Sequence, residues 1–175
     1  MEESFEQMLS GGHPNSLGRT EEVVDLVLND EKRLAKLYQC YFSADEVVRL
    51  RVSSAFKRIT AKHPQWTMQY MDGLLSEVAE IDQASTQWTL AILFEQTQAL
   101  MSAAQTAKAL QIMKHNLAVH HDWIVLNTTM NVLANWAKND VDLEQWMRPH
   151  LKRLSKDSRN SVSRKAAKLI DQLGK

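Results

Sequence analysis

A stripe of mostly apolar residues recurs along this chain at intervals that suit pairs of α-helices. Four segments begin at Val48, Trp88, Val125 and Val162, and these starts are 40, 37 and 37 residues apart. Three of the segments repeat the same offsets: Val48, Val52, Phe56 and Ile59; Val125, Thr129, Leu133 and Trp136; Val162, Ala166, Ile170 and Leu173. These offsets place about one side chain per helical turn on a single face. A period of this length is typical of helical-repeat architectures.

The second segment departs from the pattern, because Trp88 and Ile92 are followed by the polar Gln96. Its register is therefore left open. A further amphipathic segment precedes each stripe, as a two-helix unit requires. The apolar residues of these first helices are Leu34, Leu37, Tyr38 and Tyr41; Met71, Leu74, Leu75 and Val78; Leu110, Met113 and Leu117; Leu143, Trp146, Met147, Leu151 and Leu154. Burial between layers is predicted for Val52, Phe56, Leu74, Val78, Leu133, Leu151, Ala166 and Ile170.

Residues that begin helices occur where this arrangement needs them. Ser43 and Glu46 have the spacing of a capping box, Asp142 and Gln145 form a weaker one, and Pro64 suits a first helical turn. Only five glycines and three prolines interrupt the chain, and 44% of its residues are hydrophobic. The composition therefore favours helices with a continuous core over many short strands joined by tight turns.

These units resemble HEAT repeats of the HEAT/armadillo-like class, in which the second helix of each pair opens with a Val-Arg pair. Residues 45–49, Asp-Glu-Val-Val-Arg, are the closest match, and residues 160–167 are similar with the arginine displaced. The segment from Trp123 lacks the arginine. The resemblance covers residues 31–174 and implies an all-α fold, a right-handed α-solenoid of about four helix pairs. It is specific for architecture and not for function.

The chain before the first pair is predicted to contain a tail and a cap. Residues 1–19 form an N-terminal tail and a glycine-containing loop, and residues 20–175 form a single HEAT-like domain. A short apolar helix after Thr20, with Val23, Val24 and Val27, is expected to cover the open first end of the stack.

No constellation of residues in the sequence indicates catalysis, a cofactor or a metal. His120, His121 and Asp122, with His115 nearby, are poorly spaced for a metal, because adjacent histidines on a helix point about 100° apart. Cys40 lies among apolar residues and is predicted to be a buried, unreactive thiol. No nucleophile elbow and no glycine-rich phosphate loop occur. We therefore expect a protein that is not an enzyme, although an enzyme of another kind stays an alternative.

Composition also bears on the compartment. Charged or amide residues interrupt every hydrophobic stretch before it reaches the roughly 18 residues that a membrane span needs. Glu2 and Glu3 are followed by no apolar run, so a secretory signal is not expected, and a lone cysteine forms no internal disulfide. A cytoplasmic location is the prediction.

Charge is distributed unevenly along a chain that is neutral as a whole. Residues 1–47 hold four basic and ten acidic residues, a net charge of −6, whereas residues 148–175 hold nine basic and two acidic residues, a net charge of +7. The predicted binding residues in the basic region are Lys152, Arg153, Lys156, Arg164, Lys165 and Lys168. The alternative is that both ends are merely solvated caps, which terminal repeats need.

Five tryptophans offer large apolar surfaces. Trp136 and Trp146 are assigned to the core, because they fall on the stripes. The remaining three, Trp66, Trp88 and Trp123, fall at the starts of helices near the turns. Exposed aromatic residues are enriched at interfaces, so Trp123 joins the predicted binding residues.

Together these features predict a scaffold or adaptor that binds a protein partner with an acidic surface. Self-association, in which the acidic first repeat of one copy meets the basic end of another, is a further possibility. The alternative function is DNA binding of the kind found in HEAT-like alkylated-base glycosylases. Those enzymes use an electropositive channel, whereas this chain is neutral and its basic residues are concentrated at one end.

Overall fold

The computed structural model describes residues 3–173, and within that range the chain forms helices and their connections with no β-strand. The prediction of an all-α fold is thereby confirmed. Each helix in the described part of the chain is too short or too polar to cross a membrane. Gly174 and Lys175, with the first two residues of the predicted tail, lie outside the described residues.

Eleven α-helices are distinguished in the described part of the chain. They are α1 (Phe5–Leu9), α2 (Thr20–Asn29), α3 (Leu34–Gln39), α4 (Glu46–Lys62), α5 (Pro64–Thr67), α6 (Met71–Gly73), α7 (Ala84–Thr97), α8 (Ala103–Val119), α9 (Trp123–Ala137), α10 (Val141–Leu154) and α11 (Asn160–Gln172). Short 3₁₀ turns lie at Glu31–Arg33, Cys40–Phe42, Met68–Tyr70 and Gln98–Leu100, and a π-helical segment, Leu74–Val78, follows α6.

The chain divides into two compact units, Met1–Thr106 and Ala107–Lys175. In the first unit, α4 packs against α2 on one side and α7 on the other, and α1 also contacts α2 and α4. In the second unit, α9, α10 and α11 pack against one another in all three pairings. The second helices of consecutive predicted pairs are therefore neighbours within each unit, α4 with α7 and α9 with α11.

The predicted core positions are largely confirmed. Val52, Phe56, Leu74, Val78, Leu133, Leu151 and Ala166 are fully buried. Ile170 is only half-buried, and Leu169 takes the inward position instead. The same two steps of four residues keep Phe56 and Leu133 buried in α4 and α9, and later helices pack on both of these helices. Helix α11 is the last helix of the described residues, so no later helix covers it.

Helix α7 shows which residues of the second repeat face the core, a register that the sequence had left undetermined. Trp88 and Ile92 are half-buried, whereas Leu90, Ala91 and Phe94 are buried. The buried face also contains polar residues, since the Gln87 amide lies inside and donates to the carbonyls of Ala79 and Ile81, both at 2.9 Å. A polar residue on the inward face explains why hydrophobicity did not reveal the register.

The two predicted capping boxes are wrong in detail. Helix α4 begins at Glu46 and is capped by Asp45, whose carboxylate accepts the Val47 N–H at 2.8 Å. Ser43 instead accepts the N–H of Asp45, because the helix starts later than a Ser43 cap requires. Similarly, the cap of α10 is Asp140 and not Asp142. Pro64 does occupy the first turn of α5, as predicted.

A buried arginine organises the loop between α1 and α2. Arg51 of α4 is 2% exposed, and its guanidinium donates only to main-chain carbonyls. The acceptors are Leu9 at 2.7 Å, Ser10 at 3.3 Å, Gly11 at 2.6 Å, His13 at 3.2 Å and Ser16 at 3.1 Å. Three glycines with positive φ, Gly11, Gly12 and Gly18, let the loop wrap around this side chain. The predicted loop is therefore ordered by a residue on the first repeat.

Candidate functional site

The predicted binding residues of the basic region all lie in the second unit, on α10, on α11 and in the turn between them. Helix α10 turns Leu143, Met147 and Leu151 inward, and α11 does the same with Val162 and Ala166. The basic side chains fall beside or opposite these buried stripes. Lys152, Arg153, Lys156, Arg164 and Lys168 are exposed, and Lys165 is partly exposed.

Two of the predicted residues donate hydrogen bonds to other groups of this protein. Arg153 Nη2 donates to the Leu117 carbonyl at 2.9 Å, which lies in the last turn of α8, where carbonyls lack partners within the helix. Lys165 Nζ donates to Asn131 Oδ1 of α9 at 3.0 Å. Both side chains therefore hold neighbouring helices together, and we assign them a structural role in addition to their charge.

The other four, Lys152, Lys156, Arg164 and Lys168, make no hydrogen bond or ion pair with any described residue. We call them the free cations. Arg164 and Lys168 are four residues apart on α11 and share one face of that helix, whereas Lys152 lies in the last turn of α10 and Lys156 in the turn that follows it. Their donors are directed to solvent and are available to an external acceptor.

The two acids of this region do not neutralise the free cations. Asp157 is engaged by Arg159, whose Nε and Nη2 each donate to its carboxylate at 2.8 Å. These hydrogen bonds lower the pKa of Asp157 to about 2. Asp171 is exposed one turn after Lys168 and forms no ion pair with a described residue. The free cations therefore keep their charge unpaired.

Trp123 is the one predicted aromatic binding residue, and it is the first residue of α9. The Asp122 carboxylate caps this helix by accepting the N–H groups of Ile124 at 2.8 Å and Val125 at 3.0 Å. With Val125 and Leu126 directed inward, the indole of Trp123 is left 49% exposed. Its predicted position at the edge near the turns is confirmed, and its role in binding stays a prediction.

The turn before Trp123 touches the turn between α10 and α11. Arg159 Nη1 donates to the His121 carbonyl, and Arg153 reaches the end of α8. Val119, which ends α8, is 53% exposed beside these contacts. We call Val119, Trp123, Arg153 and Arg159 the turn surface. Val119 and Arg159 were not among the binding residues predicted from the sequence. The position of Val119, an apolar residue at the end of a helix, was the signal that could have indicated it.

The remaining tryptophans divide differently from the prediction. Trp136 is buried as expected. The assignment of Trp146 to the core is wrong, because it flanks the inward stripe of α10 and is only half-buried. Its ring lies 4.3 Å from the His150 ring and 5.1 Å from Lys114 Nζ, a cation–π distance. Trp66 is also half-buried and stacks on His63 at 4.0 Å.

The candidate metal ligands and the cysteine have local structural roles. His120 Nδ1 accepts the Asp122 N–H at 3.0 Å, so this histidine shapes the turn before α9. Within residues 3–173, no three His, Cys, Asp or Glu side chains are grouped closely enough to hold a metal ion. Cys40 is buried, its thiol lies 3.3 Å from the Lys36 carbonyl, and burial raises its pKa to about 11.

No family model, curated protein or solved structure matches the chain. Function must therefore follow from the residues themselves. The free cations and the adjoining turn surface form the most distinctive exposed chemistry in the second unit, since they combine unpaired positive charge with an exposed indole.

Proposed function

We propose that this chain is a non-enzymatic scaffold whose basic C-terminal helix pair binds an acidic segment of a protein partner. The observation that carries the proposal is the presence of four exposed cations without partners, Lys152, Lys156, Arg164 and Lys168. A solvated cap needs polarity, but it does not need one sign of charge. Charges of one sign attract an oppositely charged surface and accelerate its association.

The proposal includes the architecture of a short α-solenoid of four HEAT-like helix pairs. Support comes from helices separated by short turns and from the packing of α4 on α7 and of α9 on α11. Contacts one repeat apart add to this support, since Lys165 bonds Asn131 34 residues earlier and Arg153 bonds Leu117 36 residues earlier. Helical repeats present extended surfaces that commonly serve binding.

The turn surface favours a protein partner over a purely ionic one. Exposed ion pairs contribute only about 0.2–1 kcal/mol each, so four of them give weak and salt-sensitive binding. Tryptophan is enriched among the few interface residues whose truncation costs about 2 kcal/mol or more. An acidic segment that carries an apolar side chain satisfies both Trp123 and the cations.

The compartment that we propose is the cytoplasm, because a chain with a lone cysteine suits a reducing environment.

The test uses a fluorescein-labelled peptide of alternating glutamate and leucine residues, with a single-stranded DNA of equal charge as the competing probe. Fluorescence anisotropy is measured for the wild type and for the variant K152E/K156E/R164E/K168E. The matched control reverses four exposed lysines elsewhere, as K32E/K36E/K62E/K108E. Both variants change the net charge by the same amount.

We expect the peptide to bind the wild type and the control variant, and to lose at least tenfold in affinity on reversal of the free cations. Binding should weaken as the screening length falls from about 10 Å at 0.1 M salt to about 3 Å at 1 M. Equal losses in the two variants, or no binding of the peptide, would contradict the proposal. Tighter binding of the DNA would favour the nucleic-acid alternative, and salt-sensitive sedimentation of the protein alone would indicate self-association.

A further inference from the structure

A cavity of about 270 Å³ lies in the first unit, between the loop before α2 and the helices α4 and α7. It is formed wholly by residues of that unit. The residues that give it its character are Asn15 and Leu17 from the loop, Ser54 and Lys57 from α4, and Trp88 and Thr89 from α7. This volume is close to the lower limit of about 300 Å³ that is typical of small-molecule pockets.

The loop wall of the cavity is preformed. Arg51 fixes the main chain on both sides of Asn15, through the carbonyls of His13 and Ser16. Gly18 packs directly against the same side chain, since a β-carbon at this position would lie 2.9 Å from the guanidinium. A ligand entering the cavity therefore meets a wall that is already ordered, and binding costs little conformational entropy.

The polar groups of the cavity include a lysine without a counterion. Lys57 Nζ makes no hydrogen bond or ion pair with a described residue. Ser54 lies one helical turn before Lys57 on the same side of α4, and its hydroxyl is likewise without a partner in the described chain. Arg51, the other cation that lines the cavity, faces carbonyls and no carboxylate. The cavity therefore combines uncompensated positive charge with a hydroxyl donor.

The apolar part of the lining comes from two elements, the loop before α2 and helix α7. Trp88 of α7 is half-buried, and Leu17 of the loop is 42% exposed. An indole that is accessible within a cavity offers a flat surface on which a planar ring can stack. A cation, a hydroxyl and an aromatic wall around one space are the groups that a small aromatic carboxylate requires.

We propose that this cavity binds a small planar carboxylate, with the carboxylate on Lys57 and Ser54 and the ring against Trp88. The site is independent of the proposed partner-binding residues, since Lys57 and Trp88 belong to the first unit. Occupation of the cavity would also stabilise the loop that Arg51 holds, because the ligand contacts that loop only in the folded protein.

The test uses 2-naphthoate and its neutral isostere 2-naphthamide as probes. Their binding to the intact protein is followed by calorimetry and by the indole N–H resonance of Trp88, which a W88F variant assigns. The variant K57M removes the ammonium and keeps most of the side-chain length. The control K62M removes an exposed lysine from the end of the same helix, outside the residues that line the cavity.

We expect 2-naphthoate to shift the Trp88 resonance saturably and to bind at least tenfold more tightly than 2-naphthamide. The K57M variant should lose this preference and leave the amide affinity unchanged, whereas K62M should behave as the wild type. Equal affinity for the two probes, an unperturbed Trp88 resonance, or equal effects of K57M and K62M would overturn the proposal. Thermal unfolding of each variant shows that the fold is retained.

Discussion

The phenol oxygen of Tyr38 occupies the space that a β-carbon on Gly73 would need. Tyr38 is 7% exposed, and its ring stacks on Tyr70 with centroids 4.8 Å apart, so it has little freedom to move away. Gly73 ends α6, directly before the π-helical segment Leu74–Val78. The glycine is therefore required by the close approach of a side chain from another helix, although its own φ is ordinary.

The substitution G73A should destabilise the protein, which reverses the usual sign for this change in a helix. Alanine is normally more favourable than glycine in a helix interior by about 1 kcal/mol. Here the added methyl group overpacks the contact with Tyr38, and we expect a net loss of about 2 kcal/mol. Urea unfolding followed by circular dichroism measures the difference.

Removal of the phenol oxygen should partly rescue that variant. In Y38F/G73A the nearest remaining ring atom is Cζ, 3.0 Å from the alanine β-carbon, so some strain persists. We expect the double variant to be more stable than G73A alone. An alanine that stabilises the protein, or a double variant no better than the single one, would show that Tyr38 is not what excludes a side chain at residue 73.

Replacement of Arg51 should release the loop between α1 and α2. The variant R51M leaves carbonyls from Leu9 to Ser16 without their buried donor, and we expect a loss of about 3 kcal/mol. R51K should recover only a small part, because an ammonium cannot reproduce the planar fork of the guanidinium.

The readouts for Arg51 are urea unfolding and limited digestion with proteinase K, which should cut R51M between Ser10 and Thr20 under native conditions. The matched control is R58M, on the same helix, which removes an exposed ion pair with Glu21. A stable R51M that resists digestion as the wild type does would mean that the loop is held by other contacts.

Cys40 should react slowly with thiol reagents below pH 9. Burial raises its pKa to about 11, so the thiolate is scarce in the folded protein at pH 8. Labelling by iodoacetamide should be far slower in buffer than in urea. The raised pKa stabilises the fold fully below the ordinary value near 9, and this stabilisation is lost as the pH rises towards about 11. Fast native labelling at pH 8 would show an accessible thiolate.

The periodic features of this fold were predictable, because they depend on residues close in the sequence. All four stripe positions of α9, namely Val125, Thr129, Leu133 and Trp136, are buried as predicted. The same spacing fails at Ile170, because no later helix of the described residues packs on α11. The shifted register of α7 was not predictable, because the buried Gln87 is satisfied by carbonyls of the preceding turn.

Features that join residues one repeat apart could not be foreseen. A count of charges treats Arg153 and Lys165 like Lys152, and only the positions of Leu117 and Asn131 show that the first two are engaged. The cavity around Lys57 depends likewise on a loop about 40 residues earlier, whose path follows from tertiary contacts and not from local pattern.

The hold of Arg51 on its loop also bears on the order in which the protein folds. Its five acceptor carbonyls lie 35 to 42 residues before it, in a segment that is mostly without regular structure of its own. The carbonyls of such a segment have no donor to bind until α4 has formed and has positioned the guanidinium of Arg51. Closing a connection of this length costs chain entropy, and this cost is offset only when the hydrogen bonds from Arg51 to the carbonyls have formed. The loop is therefore expected to order on the native side of the folding barrier, so that changes at Arg51 alter the rate of unfolding far more than the rate of folding.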